Sequence, residues 1–206
     1  MKICLFGATG RVGSILLDNM VQGGHDVRVL VRNKEKITIS SSNLSVIQGN
    51  VLDETDIQNT MNQSDIVVSC LGTDQNSTLS KSMPLILKSM RLFNVKRIIT
   101  IGTAGILQSR SNPGTFRFLT VESKRKKTTA VKDHLKTYFM LKQSNMEWSI
   151  VCPTYLPTGQ RQGNYRVQKH QLPESSSSIS IYDTADFTYS LLTNHDYEYA
   201  RIGITY

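Results

Sequence analysis

The stretch Lys2-Ile3-Cys4-Leu5-Phe6-Gly7-Ala8-Thr9-Gly10-Arg11-Val12-Gly13 decides the fold. It opens with a short apolar run of strand length. Three glycines follow at once, spaced G-x-x-G-x-x-G, and an amphipathic segment begins inside them. Strand, glycine turn and helix in this order form a grip for a pyrophosphate. One glycine supplies the positive φ of a tight turn. The next lets the backbone approach the phosphates, and the last lets helix and strand pack closely. The free N–H groups and dipole of the helix start then hold the anion.

Outward from this grip, Val12, Ile15, Leu16, Asn19 and Met20 fall on one helical face, the stripe of a helix that covers a sheet. Gly23-Gly24 ends that helix. Residues 25–32 read as a second strand, which completes a βαβ unit. Further strands are predicted at 44–49, 65–72, 95–102, 148–152 and 199–205. Helices are predicted at 53–63, at 81–94 with Leu85, Ile86, Met90 and Phe93 inward, at 129–144 and at 184–193. The polar patch 38–43 ends a weak short helix. Residues 105–120 are irregular around the turn Asn112-Pro113-Gly114, and 155–178 form a long loop with room for one hairpin. This alternation implies an α/β fold with a doubly wound, mostly parallel, Rossmann-like sheet and helices on both faces. Residues 1–206 then form a single dinucleotide-binding domain, with small substrate-side loops at 105–120 and 155–178.

A chain of 206 residues has enough length for a self-sufficient core. Cys4, Cys70 and Cys152 each sit in an apolar run and match no metal or redox spacing, so core packing is their expected role. No apolar run approaches the ~20 residues of a membrane span. The glycine loop interrupts anything like a secretory signal, and the expected location is the cytoplasm. The net charge of +8 raises the question of nucleic acid. Its densest basic run, Ser123-Lys124-Arg125-Lys126-Lys127-Thr128, has no interleaved aromatics to stack bases and reads as a solvated segment. Nucleic acid and membrane are therefore not expected partners. The histidines His25, His170 and His195 are scattered among loops, and no metal site is expected. Asp183 and Asp186 read as helix-start caps rather than chemistry.

The glycine spacing, the segment Ile98-Ile99-Thr100-Ile101-Gly102-Thr103-Ala104-Gly105 and the tail Ile179-Ser180-Ile181-Tyr182-Asp183-Thr184-Ala185-Asp186-Phe187 occur in a telling order. Together they resemble the atypical short-chain dehydrogenase/reductases of the NAD(P)H-binding, NmrA-like group, most of all its biliverdin/flavin reductase branch. The resemblance covers nearly the whole chain. It implies a nicotinamide cofactor across the carboxyl ends of the strands, where open α/β sheets bind ligands. Gly7, Thr9, Gly10, Arg11, Val12 and Gly13 would take the pyrophosphate, and Asn50, Val51 and Leu52 would flank the adenine. Cys70, Leu71, Gly72 and Thr73 would pass under the ribose and nicotinamide, with Gly102, Pro153 and Tyr155 completing the pocket. Arg32 stands at the end of the second strand, where an acidic residue would select NAD(H). A guanidinium there can hold a 2′-phosphate by two hydrogen bonds, so NADP(H) is expected over NAD(H), with Arg11 in support.

The resemblance puts Thr103 in the place of a serine that hydrogen-bonds a substrate carbonyl. Tyr138 and Lys142 match Y-x-x-x-K, but Lys142 lies too close to the sixth strand, and by register the lysine slot falls near His134. The usual tyrosine-lysine acid is therefore expected to be missing, as it is in the flavin/biliverdin branch. His134 and Tyr138 share a helix face and are the remaining candidates on that helix. Surface placement for His134 and helix packing for Tyr138 stay open. The expected activity is hydride transfer from NADPH to a small planar acceptor such as a flavin, quinone or tetrapyrrole, bounded by Thr103, Leu156, the two loops and the rings of Phe116 and Phe118. A non-catalytic NADP(H) redox sensor remains open, and so does an epimerase or dehydratase of the extended family. The oligomeric state and the closing of loop 155–178 as a lid are open as well.

Overall fold

Strands β1 (Lys2–Phe6), β2 (Asp26–Val31), β3 (Leu44–Gln48), β4 (Ile66–Ser69), β5 (Arg97–Ile101), β6 (Glu147–Pro153), β7 (Arg166–Lys169) and β8 (Ala200–Thr205) form one sheet. Its spatial order is β3-β2-β1-β4-β5-β6-β8-β7. Each neighbouring pair is parallel except β7 and β8 at the edge, which are antiparallel. The computed structural model describes residues 1–74, 76–123 and 127–206. The middle of the basic run, residues 124–126, lies outside the described residues.

Helices α1 (Arg11–Gln22) and α5 (Ile181–Ser190) cover one face of the sheet, and α2 (Glu54–Met61), α3 (Thr78–Leu92) and α4 (Thr129–Gln143) cover the other. Alternation along β1 feeds both layers. Ile3 and Leu5 pack with Leu16, Met20 and Phe187, while Cys4 and Phe6 pack with Ile57, Met83 and Met90. Strands buried on both sides carry apolar residues without a break, which is why the central strands read so clearly. This is a doubly wound, Rossmann-like α/β fold. No helix among the described residues is long and apolar enough to cross a membrane.

Several elements differ from the sequence reading. Helix α1 starts at Arg11, inside the glycine loop as the sequence reads, but it buries Leu17 while Ile15 stays half-buried. Helix α3 starts at Thr78, so Leu79 and Met83 join its buried face while Leu85 and Phe93 stay half-buried. Only a single 3₁₀ turn, Lys34–Lys36, follows β2, and the Asn33 side chain caps it by accepting from the Glu35 N–H. Loop 155–178 holds no hairpin of its own. Its strand β7 pairs instead with β8, the last strand of the chain.

That loop is pinned to the start of α5. Ser180 is the helix cap, accepting from the Asp183 N–H. The Asp183 carboxylate accepts from the N–H groups of Gln162 at 2.9 Å and Gly163 at 3.0 Å, and from the hydroxyls of Ser180 and Tyr206. Arg161 reaches Asp186 through two nitrogens at 2.7 and 3.1 Å, and Asn19 of α1 donates to the same carboxylate. Burial pushes the Asp183 carboxyl up, but these hydrogen bonds outweigh it and hold the group below its ordinary value.

A carboxylate with a depressed folded-state pKa contributes stability above its unfolded value near ~4, and that contribution is lost as the pH falls through the folded value. Asp183→Asn is therefore expected to cost roughly 1–3 kcal/mol at neutral pH. The gap between wild-type and variant melting temperatures should close as the pH drops below ~4. Thermal melts followed by circular dichroism check this, and a gap that stays constant into acid would count against the carboxylate's role.

Candidate functional site

Strand order reverses between β1 and β4, and open α/β sheets bind ligands at such a switch point. Here three backbone segments meet with no room for side chains. Gly7 has φ +81°, and a Cβ on it would stand 2.5 Å from the Cys70 carbonyl carbon. A Cβ on Gly13 would stand 2.1 Å from the Gly7 oxygen. Gly10 caps α1 and donates its N–H to the Gly7 carbonyl at 3.0 Å. The first helical bond runs from the Ser14 N–H to the Gly10 carbonyl. The N–H groups of Arg11, Val12 and Gly13 thus have no backbone acceptor among the described residues. No acidic residue occupies the first turn of α1. The cradle suits a diphosphate, since it offers close backbone approach and uncommitted donors at a helix start.

Above the cradle lies a cavity of about 720 Å³. Of the residues singled out in the sequence, Gly7, Thr9, Gly10, Arg32, Asn50, Val51, Leu52, Cys70, Leu71 and Gly72 line it. Its further wall comes from Leu30, Val31, Lys36, Gly49, Asp74, Asn76 and Thr78. Asn50 is set by its neighbours. Its N–H donates to Asp56 at 2.8 Å, and its side chain accepts from the Leu52 N–H at 3.0 Å. Lys36 escaped the sequence reading, which singled out Arg32 alone at the end of the second strand. The 3₁₀ turn brings Lys36 back to the cavity wall beside Arg32. The Cys70 thiol is pushed up to about 12 by burial and stays protonated at neutral pH.

The other candidates sit elsewhere. Val12 and Gly13 belong to the buried side of α1 and can offer only backbone. Thr73, Gly102, Pro153 and Tyr155 do not line the cavity; Gly102 and Pro153 are buried, and Tyr155 is largely exposed. Arg11 does not stand beside Arg32. Its Nη1 donates to the Leu156 carbonyl at 3.0 Å, because the first turn of α1 faces the pinned 155–178 loop.

Thr103 follows β5, and its hydroxyl is buried with no hydrogen-bond partner among the described residues. That leaves an unpaired hydroxyl, but Thr103 is buried and does not line the cavity, so the structure does not bring it to the cleft wall where the sequence reading put it. Tyr138 is enclosed: its ring lies 6.2 Å from Phe116, 5.2 Å from Phe139 and 5.8 Å from Trp148, with the Arg201 guanidinium 4.4 Å from its centroid. It does not line the cavity, and Lys142 is exposed. Phe116 packs in the same cluster, beneath its loop. His134, one turn before Tyr138, is half-buried. Next to it, Asp133 accepts from the Leu79 and Ser80 N–H groups at 3.3 and 3.1 Å and so holds the first turn of α3 from a neighbouring helix. Arg201, which also escaped the sequence reading, is a buried cation that donates to the Ile106 carbonyl and binds the 104–106 turn to this cluster.

A family described as NAD(P)H-binding matches residues 7–195. Among solved structures, a candidate epimerase from Bacteroides thetaiotaomicron is similar with TM-score 0.85 and 27% identity, over 100% of this chain and 96% of that one. A candidate NADH-flavin reductase from Streptococcus pneumoniae has TM-score 0.86 and 22% identity, over 100% and 99%. A short-chain dehydrogenase/reductase of the wide type from Veillonella parvula, solved in complex with NADP, has TM-score 0.77 and 17% identity, over 100% and 94%. At 22% and 17% identity the latter two establish the likeness of fold.

The cradle can be tested at its tightest point. Gly13→Ala is expected to push α1 off β1, lower the melting temperature by several degrees and weaken binding of either dinucleotide at least tenfold. Fluorescence titration with NADPH and NADH beside a thermal melt reads both effects. Unchanged affinity would mean that the cradle does not hold the cofactor.

Proposed function

The chain belongs to the NAD(P)H-binding family, and from that premise we propose that it is an NADPH-dependent oxidoreductase that passes hydride to a planar acceptor of flavin, quinone or tetrapyrrole type. The observation that carries this reading is the cleft itself, with a glycine cradle at the switch point and Arg32 and Lys36 on its wall. Two cations there suit a 2′-phosphate, and the guanidinium can meet it with two hydrogen bonds. The Streptococcus pneumoniae neighbour, described as an NADH-flavin reductase candidate, supports the reaction class, and the Veillonella parvula complex supports the cofactor.

The bound nicotinamide supplies the hydride, and solvent supplies the proton that completes reduction of the acceptor. The chain's own residues bind and orient. The start of α1 holds the diphosphate, and Asn50, Val51 and Leu52 flank the adenine. We assign the Thr103 hydroxyl, unpaired in the free protein although it does not line the cavity, to donate to an acceptor oxygen as negative charge develops on it. With Tyr138 enclosed, rate depends on placing two flat rings together rather than on a side-chain acid. His134 takes no assigned step in this scheme.

A second reading, a non-catalytic NADP(H) sensor, draws on a different observation: among the described residues, no tyrosine-lysine pair lines the cleft. Turnover separates the two. Loss of NADPH absorbance with flavin mononucleotide or small quinones is expected for the enzyme, and tight NADPH binding without turnover on any acceptor identifies the sensor.

Two variants test the residue roles. Arg32→Asp should weaken NADPH at least tenfold and NADH far less, because attraction to the 2′-phosphate becomes repulsion. Equal weakening would remove Arg32 from cofactor choice. Thr103→Val should lower kcat roughly tenfold or more, with the KM for NADPH little changed. An unaltered kcat would free Thr103 from any role in the chemistry.

A further inference from the structure

We infer that Asp74 is a specificity-determining residue that restrains the preference for NADP(H), by occupying in the free protein the guanidinium face of Arg32 that a 2′-phosphate would take; this rests on the cleft being a nicotinamide-dinucleotide site. Asp74 was not among the residues expected at the site, yet it lines the cavity together with Arg32 and Lys36. Its Oδ2 lies 3.2 Å from Nη2 of Arg32. Both side chains are open to solvent, at 79% for Arg32 and 47% for Asp74, so the pair contributes little to stability. What holds Asp74 there is its turn.

Asp74 and Ser77 have φ +46° and +58°, so both take the left-handed region between β4 and α3. Aspartate tolerates that region better than most side chains. Thr73 closes the turn by accepting from the N–H groups of Asn76 at 3.1 Å and Thr78 at 3.3 Å. Beyond it, the buried Asp133 anchors the N–H groups of Leu79 and Ser80. The described residues on either side of Asp74 are thus tied down by backbone hydrogen bonds, which keeps its carboxylate near Arg32.

The two cofactors meet this carboxylate differently. A 2′-phosphate carries about two negative charges and must share Arg32 with Asp74 at close range, so like charges face each other. A ribose 2′-hydroxyl displaces nothing and can donate to the carboxylate, as acidic residues in NAD(H) sites accept from it. Arg32 and Lys36 attract the phosphate, Asp74 opposes it, and the balance sets the ratio of the two affinities. The site is thus built to discriminate weakly, accepting NADP(H) without excluding NAD(H).

The test is a calorimetric titration of NADPH and NADH into wild type, Asp74→Asn, Arg32→Gln and the double variant. Asp74→Asn is expected to tighten NADPH roughly three- to tenfold at low salt, to leave NADH unchanged or slightly weaker, and to lose much of its gain as salt is added. In the Arg32→Gln background the gain should shrink by more than half. Asp74→Ser repeats the measurement should Asn disturb the turn, with the melting temperature as the control for folding. An NADPH affinity that stays the same, or a gain shared equally by both cofactors, overturns the inference while leaving the cleft reading intact. Wild type that binds neither cofactor overturns the cleft reading, and this inference with it.

Discussion

The backbone contact of Gly7 with Gly13 and Cys70 is the constraint on which the rest depends. A single methyl group at Gly13 would lie 2.1 Å from the Gly7 oxygen, and one at Gly7 would lie within 2.6 Å of the Cys70 carbonyl. No rotamer change can relieve such contacts, because the opposing atoms are backbone. The end of β1, the start of α1 and the end of β4 are thereby held against one another. That places a helix N-terminus, with uncommitted donors, at the carboxyl edge of the sheet and at its switch point.

The remaining parts of the site are built outward by stapling loops to this frame. Carboxylates do much of the work. Asp56 fixes the turn after β3, Asp133 caps α3 across a helix interface, and Asp183 gathers loop 155–178 against α5. Each accepts backbone N–H groups, so each satisfies donors that an irregular segment would otherwise leave unpaired. Asp74 differs, since it faces a solvent-open guanidinium. On the α4 side of the sheet, Arg201 does the corresponding work as a cation, joining the turn after Thr103 to the rings of Phe116 and Tyr138. The segment 104–118 is tied to the core through these contacts.

The layered fold was legible because its signals are local. β1 reads as a strand from a run of apolar residues, α1 from spacing, and the turn between them from glycines. The cofactor wall was legible where residues sit next to strand ends, as Arg32, Asn50 and Cys70 do. It was less so where a turn folds back. Lys36 reaches the cavity only because residues 34–36 make a 3₁₀ turn, and Asp74 only because it takes a left-handed conformation. The candidate acid illustrates the opposite error. Helical spacing puts His134 and Tyr138 on one face of α4, but Tyr138 there meets Trp148, Phe116 and Arg201, and spacing carries no information about what lies across from it.

By itself, then, the order of residues determined the strand-turn-helix grip, the alternation that winds a parallel sheet, and a cation at the end of β2. These depend on backbone sterics and on periodicities that act over a few residues. Only the tertiary structure decided that Arg11 turns to the 155–178 loop, that β7 pairs with the last strand, that Tyr138 is enclosed, and that Asp74 faces Arg32. Those outcomes depend on which surfaces meet across the fold, and the meeting is set by the packing of many segments at once.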